Sequence, residues 1–420
     1  ALEGMRVSFD QALTVTDHYN LMRGELTLSA DGVLQVPTEG VDPGPQARVL
    51  ADENRQQSLT VTLPGPEPLA VPLGSSVNGL SGLLGHDGRG QLLLADTRPD
   101  FDVPADDEIA TAHDEAIRIV SSNLLNFFNG DGQGGGFPTE RGAKSPAEFR
   151  AQSQRTRAAL AKMQPDLLAV QELENDGFGP LSAAESLLAL LNDTGHRDWA
   201  VVVPGTDRIG TDVITVGLFY RQQRLRTVGR PQVLQGPAFD RLSRPPLAQV
   251  FEERASGERF LVAVDHLKSK GRCPDGGDNA DQGDGQGCWN AARVAAVRSQ
   301  APWREGMAAE AQTGHVLVLG DMNAWRREDP IRQFEAAGLI DLVARIDGTP
   351  QHSFLYWGQT GTLDYVFASP TLADRALHAQ IWHINAGWPG GMTLPRPWLR
   401  TSDHDPVVVD FDFSQAAVSD

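Results

Sequence analysis

The chain has 420 residues, of which 40% are hydrophobic and 22% charged, the composition of a globular protein. No apolar run is long enough to cross a bilayer, so we expect no membrane insertion, and the length favours two domains. The formal net charge of −19 argues against a broad basic track for nucleic acid. Carboxylates, however, also gather where a divalent cation binds.

Residues 1–105 predict a small all-β domain. Short apolar runs are separated by Gly, Pro and Asp, which is typical of a barrel or sandwich, and no helical periodicity of useful length is visible. The predicted strands are Met5–Phe9, Leu26–Leu28, Leu59–Leu63 and Gln91–Leu94.

Residues 106–116 are acidic and predict a solvated linker. Its acidic residues are Asp106, Asp107, Glu108, Asp114 and Glu115. From 117 to 420, apolar strands alternate with helical segments, which predicts two packed sheets flanked by helices. The predicted strands are Ile117–Val120, Asp166–Val170, Val213–Tyr220, Phe260–Val264, Val316–Leu319, Thr362–Phe367 and Val407–Phe411. The predicted helices are Glu148–Met163, Leu181–Leu191, Trp289–Gln300 and Gln333–Ala337.

The two cysteines, Cys273 and Cys288, flank a loop of Gly, Asp, Asn and Gln that could not build a core of its own. In an oxidising compartment we expect them to pair, which in the chain-entropy model adds about 3 kcal/mol of stability. Two unrelated thiols are the alternative. The loop also holds Asp275, Asp278, Asp281 and Asp284, which leaves open a structural Ca²⁺, although the spacing is not that of a defined calcium loop.

Polar residues recur at the ends of the predicted apolar strands, where side chains converge at one edge of a sheet. They are Asn123 and Asn126, Gln171 and Glu172, Asp265 and His266, Asp321 and Asn323, and the segment Ser402–Asp405. Asp364 lies inside a strand, where an unpaired carboxylate would cost several kcal/mol, so we expect it to have a partner such as a histidine. Taken singly, each of the others is most simply a cap or a solvated charge.

Together these residues suit phosphodiester hydrolysis. Glu172 can bind a hard cation, and the amides of Asn123 and Asn323 can donate to phosphoryl oxygens without repelling the anion. A water can be activated by Asp321 or by a histidine that a carboxylate orients. His404 oriented by Asp364 would form that dyad, and His266 can donate to the phosphate or to the leaving oxygen.

The same stretches resemble the endonuclease/exonuclease/phosphatase superfamily. The carrying segments, in family order, are Arg118–Asn123, Asp166–Glu172, Leu319–Asn323, Leu363–Phe367 and Ser402–Val407. The resemblance implies a four-layered α/β/β/α sandwich and a site for Mg²⁺ or Mn²⁺. Leu125 replaces the carboxylate that abasic-site enzymes carry at that position, which argues against abasic-site specialisation.

The resemblance also assigns roles to individual residues. Glu172 would be the principal metal ligand, supported by Asp403. Asn123 would hold Asp321, and Asp364 would pair with His404. Asp321 and Asn323 would act on the nucleophile and the phosphate, and His266 would contact phosphate.

A narrower resemblance links the chain to secreted bacterial nucleases of the ExeM type. It rests on Leu124–Asn129, Arg141–Ala143, Asp265–Gly271 and the Cys273-to-Cys288 loop with Trp289 and Asn290. It implies an OB-like accessory domain before the nuclease, and phosphate contacts from Arg141, Lys268, Lys270 and Asn126. Ordinary surface charge is the alternative for the basic residues.

We therefore expect an extracellular or periplasmic nuclease for DNA, with RNA a further substrate. The chain opens at Ala1 and shows no signal peptide, which fits a processed exported protein. The main alternative is a phosphodiesterase of the same fold acting on phospholipid or another small phosphoester, which the acidic charge keeps open. The sequence reveals no exposed aromatic hairpin for a membrane surface and no obligatory protein partner. A binding protein without catalysis is the third reading.

Overall fold

The computed structural model describes residues 3–414, except 66–69, 87, 89, 114, 240–243, 347, 349 and 350. In the N-terminal unit, residues 3–105, the elements are β1 (Arg6–Ser8), β2 (Leu13–Asp17), β3 (Glu25–Ser29), α1 (Pro37–Gly40), α2 (Pro45–Gln57), β4 (Ser58–Thr62), β5 (Ser76–Val77), β6 (Ser81–His86) and β7 (Gln91–Ala95). Within the described part of the chain, none of the helices has the length and apolar character that a membrane span requires.

The N-terminal unit is a mixed sheet in the order β1-β6-β7-β4-β3-β2-β5, packed on its own apolar core. The expectation of an all-β unit is wrong, because α2 runs for 13 residues. Pro45 occupies its first turn, and only Ala47 in it is buried. A helix with so little buried surface has no apolar stripe, so hydrophobic periodicity could not reveal it.

The first half of the larger unit contains β8 (Ile117–Phe127), α3 (Pro146–Met163), β9 (Leu167–Glu174), α4 (Ala183–Asn192), β10 (Trp199–Val201), β11 (Ile214–Arg221), β12 (Leu225–Val233) and β13 (Leu247–Glu253). The second half contains β14 (Arg259–His266), α5 (Asn290–Glu310), β15 (Val316–Asp321), α6 (Asp329–Ala336), β16 (Ile340–Asp341), α7 (Leu342–Ile346), β17 (Phe354–Tyr356), β18 (Gln359–Gly361), β19 (Asp364–Ala368), α8 (Pro370–Ala373), β20 (Ala376–Ile381) and β21 (Val407–Phe411). Helix α5 continues through Pro302, so it is longer than the predicted helix that ends at Gln300.

Two six-stranded sheets form the centre of this unit, in the orders β10-β11-β9-β8-β21-β20 and β12-β13-β14-β15-β19-β16. One apolar cluster draws side chains from both sheets, for example Ile119 from the first and Leu319 from the second, so the sheets pack face to face. The outer face of the first sheet packs against α3 and α4, and that of the second against α5 and α6. The layers are therefore α/β/β/α, as the resemblance implies.

The segment 106–116 is not a free linker. Trp382 donates its indole N–H to the Asp107 carbonyl at 3.1 Å, and the backbone N–H of His383 donates to the Asp107 carboxylate at 2.8 Å. Gln380 donates to the Glu108 carbonyl at 2.9 Å. The segment thus follows the edge at β20, because its backbone groups find partners there; Asp114 lies outside the described residues.

Candidate active site

Strand register sets three of the predicted site residues side by side. In the second sheet, His266 of β14 pairs with Asp321 of the parallel strand β15, and Asp321 pairs with Asp364 of the antiparallel strand β19. Asn123 of β8 reaches this row from the first sheet, donating from Nδ2 to Oδ2 of Asp321 at 3.2 Å. The contact between Asn123 and Asp321 that the sequence predicts is therefore present.

His404 and Asp364 form the predicted dyad. Nδ1 of His404 lies 2.7 Å from Oδ2 of Asp364, and the Ser353 hydroxyl donates to the same carboxylate oxygen at 2.6 Å. The Phe354 ring covers the imidazole at 4.5 Å between centroids. Burial lowers the pKa of His404, but the charges of Asp364 and Asp321 outweigh it and hold that pKa well above its usual value. The imidazole is thus a cation near neutral pH.

Asp321 lies at the centre of the site and contacts several of the other predicted residues. Its Oδ1 accepts from the backbone N–H of Asn323 at 2.9 Å, while its Oδ2 lies 3.4 Å from Nε2 of His266 and 3.9 Å from Nε2 of His404. Burial, together with the charges of Asp364 and Glu172, raises the pKa of Asp321 to about 7, although the charge of His404 opposes the shift. A carboxylate with such a pKa can accept a proton from water at neutral pH.

His266 is neutral and has a free ring nitrogen. Burial lowers its pKa well below the usual value, and the nearby cations, with Arg244 first among them, lower it further. Among the described residues none bonds its buried Nδ1. The amide of Asn323 donates to the Leu267 carbonyl at 3.1 Å, which fixes the side chain and leaves its second N–H for a ligand.

Glu172 and Asp403 bring carboxylates to the same region. The backbone of Glu172 has a left-handed φ of 59°, and its Oε2 accepts from the backbone N–H of Asn126 at 2.9 Å. Burial raises the pKa of Glu172, and the charge of Asp403 raises it further. Negative charge is therefore in excess here, and the buried Oδ1 of Asn126 has no hydrogen-bond partner among the described residues.

This oxygen-rich donor set fits a hard divalent cation of the Mg²⁺ or Mn²⁺ type. Asp321, Asp364 and His404 also lie close enough together to be a ligand group. Their facing atoms, however, are engaged with one another and with Asn123 and Ser353. Glu172 and Asp403, the ligands that the sequence predicts, therefore stay the candidates to hold the cation.

Two of the predicted phosphate contacts, Arg141 and Lys268, lie near His266. Arg141 is 41% exposed in its side chain and lies 4.0 Å from Asp212. Lys268 stacks over Trp289 at 4.9 Å and donates to the Ser269 carbonyl at 2.8 Å, and burial lowers its pKa to about 8. Both contribute positive charge next to His266.

Lys270 is not brought to the site. Its ammonium donates to the fully buried carboxylate of Glu328 at 2.6 Å and to the Gln286 carbonyl at 2.9 Å. Its place beside His266 in the sequence was misleading, because its side chain is directed to an internal ion pair. The structure therefore gives no support to a phosphate contact by Lys270.

Three features of the site were missed in the sequence. Buried Arg244 lies 3.5 Å from Asp212, and its positive charge interacts with the charges of Asp321 and Glu172. Its only sequence signal is an arginine at the start of an apolar segment, directly before two prolines. Ser353, which supports the dyad, carried no signal at all.

The third missed feature is an aromatic hairpin made by β17 and β18. Trp357 is 77% exposed and Tyr356 52% exposed at its tip, while Phe354 at its base lies against His404. The expectation that the chain has no exposed aromatic hairpin is therefore wrong. Two adjacent aromatic residues in a short polar stretch were the available signal.

The disulfide predicted between Cys273 and Cys288 is present, with 5.4 Å between the Cα atoms. The calcium expectation gains no support. Asp281 and Asp284 accept backbone N–H groups within the loop, and the loop aspartates form no converging ligand group among the described residues.

The chain is similar in sequence to known proteins. The sequence profile of the Endonuclease/Exonuclease/phosphatase family matches residues 120–404. Nocturnin from Homo sapiens is 23% identical over 320 residues, which cover 71% of this chain and 66% of Nocturnin. Nocturnin from Rattus norvegicus matches to the same extent, so the chain spans just under two thirds of these curated relatives.

Several solved structures are similar to this chain. The human Nocturnin catalytic domain with bound sulfate is 19% identical, with 72% of this chain and 97% of that one covered and a TM-score of 0.46. TDP2 from D. rerio, complexed with a single-strand DNA product, is 14% identical, with 71% and 100% covered and a TM-score of 0.45. A mannosyl-6-phosphatase from Bacteroides thetaiotaomicron is 16% identical, with 71% and 100% covered and a TM-score of 0.43.

Proposed function

Because this chain belongs to the endonuclease/exonuclease/phosphatase family, we propose that it is a divalent-metal-dependent nuclease that hydrolyses phosphodiester bonds of DNA, with RNA a further substrate. The observation that carries the proposal is the convergence of the His404–Asp364 dyad, Asp321 and neutral His266 beside the carboxylates of Glu172 and Asp403. These groups supply a base, a cationic donor and cation ligands at one site.

In the proposed reaction, a water oxygen attacks phosphorus and gives its proton to Asp321, while the bond from phosphorus to the leaving oxygen breaks and that oxygen takes a proton from solvent water. Cationic His404 and the amide of Asn323 donate to the phosphoryl oxygens, where charge accumulates. Neutral His266 donates a hydrogen bond to the phosphate or the leaving oxygen. A cation held by Glu172 and Asp403 supplies Lewis-acid stabilisation of the same charge.

Local charge supports an anionic substrate despite the acidic total. Arg141, Arg244 and Lys268 all act on His266 electrostatically, so cationic side chains surround the His266 side of the site. The exposed rings of Trp357 and Tyr356 offer faces on which unpaired bases can stack. We infer that the preferred substrate contains single-stranded or frayed segments that can reach the hairpin.

The same hairpin favours one alternative, a phosphodiesterase for phospholipid. An exposed Trp beside a Tyr also suits the interface of a bilayer, where one end of the ring is wet. The cations near His266 suit either a lipid phosphate or a nucleic-acid backbone, so substrate tests must decide.

The deciding experiment incubates the full chain with supercoiled plasmid, single-stranded DNA, an RNA oligonucleotide, sphingomyelin vesicles and a sugar phosphate, each with Mg²⁺ or Mn²⁺. We expect degradation of DNA that a chelator abolishes. Intact DNA together with cleaved lipid or sugar phosphate would reject the proposal. Product sizes on linear and circular DNA distinguish internal from terminal cleavage.

We further propose that the enzyme acts outside the cytoplasm, as nucleases of the ExeM type do. The disulfide supports this, because such bonds persist in oxidising compartments. Fractionation of producing cells, with activity and the oxidised protein recovered outside the cytoplasm, is the test. Activity confined to the cytoplasm with reduced cysteines would contradict it.

A further inference from the structure

The N-terminal unit is bound to the loops that carry the catalytic residues, and the contact centres on α1. Glu39 of α1 is only 6% exposed. Its Oε1 accepts from Nε of Arg326 at 3.1 Å, and its Oε2 accepts from the backbone N–H of Thr362 at 3.0 Å. A buried carboxylate is retained only where such partners satisfy it.

Both partners of Glu39 lie directly beside functional residues. Thr362 is two residues before Asp364, the partner of His404, and Arg326 is three residues after Asn323. The two loops are themselves joined, because the backbone N–H of Met322 donates to the Leu363 carbonyl at 2.8 Å. Glu39 therefore links two loops, residues 321–328 and 361–364, at the point where they approach each other.

Packing at this point leaves little freedom. A Cβ on Gly361 would come within 2.7 Å of the Trp325 ring and 3.2 Å of Oε2 of Glu39. Arg326 also pairs with Asp341 at 3.1 Å, so its guanidinium is held between two carboxylates. The Glu39 carboxylate thus contacts both loops inside a tightly packed region.

A second contact from α1 extends to the His266 loop. Thr38 is fully buried, and its hydroxyl donates to Glu328 at 3.0 Å. Glu328 holds Lys270, four residues after His266. The backbone N–H of Arg327 donates to the Thr38 carbonyl at 2.9 Å. One turn of helix in the N-terminal unit therefore contacts the segment after β15 and the segment before β19 directly. It reaches the segment after β14 through Glu328, which binds Lys270.

We propose that the N-terminal unit is an integral part of the active site, and that Glu39 is a positioning residue that sets Asp364 and Asn323 through Thr362 and Arg326. The inference rests on the proposed phosphodiesterase function. It replaces the expected role of residues 1–105 as an accessory domain. The function of Glu39 is to restrict the loops, since a displacement of about 1 Å at a catalytic group can cost on the order of 100-fold in rate.

The test compares Glu39→Gln and Glu39→Ala with Asp42→Asn in the full chain. Asp42 also joins the two units, through an ion pair with Arg332, but its side chain is 66% exposed and touches neither loop. We expect Glu39→Ala to lower kcat on DNA roughly 10-fold to 100-fold while KM changes less than about 3-fold. Glu39→Gln, which keeps an acceptor for Thr362, should lie between it and the wild type. Asp42→Asn should match the wild type.

Hydrogen exchange gives a readout that does not depend on activity. In the Glu39 variants we expect faster exchange confined to residues 321–328 and 361–364, with the rest of the chain protected as in the wild type. Wild-type kcat and exchange in both folded Glu39 variants would overturn the proposal, as would a loss of activity that only follows loss of folded protein. If Glu39→Ala fails to fold, Glu39→Gln decides. If the wild type cleaves no phosphodiester but the Glu39 variants still show this faster exchange, the proposed function is wrong and the coupling of the loops stands.

Discussion

Oδ2 of Asp364 is shared by two donors, Nδ1 of His404 at 2.7 Å and the hydroxyl of Ser353 at 2.6 Å. The Ser353 hydroxyl in turn accepts the backbone N–H groups of Leu363 and Asp364, both at 3.0 Å. The carboxylate is thus fixed by its own strand and by the neighbouring hairpin before it engages the imidazole. Such support defines the orientation of His404 and favours its cationic form.

The first prediction concerns this dyad. His404→Ala removes the cationic donor, and Asp364→Asn removes the charge that keeps the imidazole protonated. We expect either change to lower kcat roughly 100-fold to 10,000-fold, the range of acid–base groups. Steady-state kinetics on DNA is the measurement. Asp374→Asn, which breaks an exposed ion pair with Arg345, is the control, and equal losses in all three variants would contradict the assignment.

The second prediction concerns the cation. Glu172→Gln should weaken Mn²⁺ binding on the order of 10-fold to 100-fold, because it removes a charged oxygen ligand. Glu174→Gln is the matched control, since Glu174 lies two residues further along the same strand and bonds the backbone N–H of Asn129 instead. Titration of Mn²⁺ by calorimetry or electron paramagnetic resonance measures both. Equal weakening by Glu174→Gln would show that the cation lies elsewhere.

The sequence was most informative where function depends on local strand ends. Asn123, Asp321 and His404 were found because each is a polar residue at the border of an apolar strand, and parallel or adjacent strands bring such borders together. The dyad was inferred from one physical requirement, that a carboxylate inside a strand must have a partner. The contact between Asn123 and Asp321, in contrast, was implied by the family resemblance, because it joins the two sheets and depends on how they pack.

Features that depend on side-chain direction or on contact between the units were not accessible. Lys270 and Arg244 carry the same charge, but one enters an internal ion pair and the other faces the site. No local pattern distinguishes these outcomes, because both depend on tertiary packing. Helix α2 was missed because almost none of its side chains is buried, so its sequence carries no apolar periodicity.

The third prediction separates the basic residues. Arg141→Ala should raise KM for DNA several-fold, and more at low salt, because an exposed arginine acts mainly through charge. The free energy of unfolding should not change. Lys270→Met should instead destabilise the fold by about 3–5 kcal/mol, because it leaves buried Glu328 unpaired. Urea unfolding and KM are measured for both variants. A change in KM for Lys270→Met with unchanged stability would restore its predicted phosphate role.

The fourth prediction tests the aromatic hairpin. Trp357→Ala should raise KM for single-stranded DNA roughly 5-fold to 100-fold, as expected if one base stacks on the ring. It should leave turnover of bis(p-nitrophenyl) phosphate unchanged, because that small ester does not reach the tip. Tyr19→Ala, at an 88% exposed aromatic residue of the N-terminal unit, is the control. Loss of vesicle binding with unchanged DNA kinetics would favour the lipid alternative.

The fifth prediction concerns Asp265, which precedes His266 and lies on the other face of β14. Its Oδ1 accepts from Gln300 at 2.7 Å, while its buried Oδ2 has no partner among the described residues. Burial raises the pKa of Asp265 to about 6, although Arg304 opposes the shift. The folded state therefore binds the proton more tightly than the unfolded state, so this group lowers stability as pH rises from its ordinary pKa through about 6.

Asp265→Asn places a neutral group of the same shape where the protonated carboxyl fits. The variant should be more stable than the wild type by about 3 kcal/mol near pH 8, the equivalent of roughly two pKa units. The difference should shrink below about pH 6, because the wild-type carboxyl is then protonated in the folded state. Urea unfolding across this pH range measures it, with Asp278→Asn on the exposed disulfide loop as the control. If the stability of the variant relative to the wild type falls as pH rises, the ionised carboxylate stabilises the fold through Arg304, and the prediction is wrong.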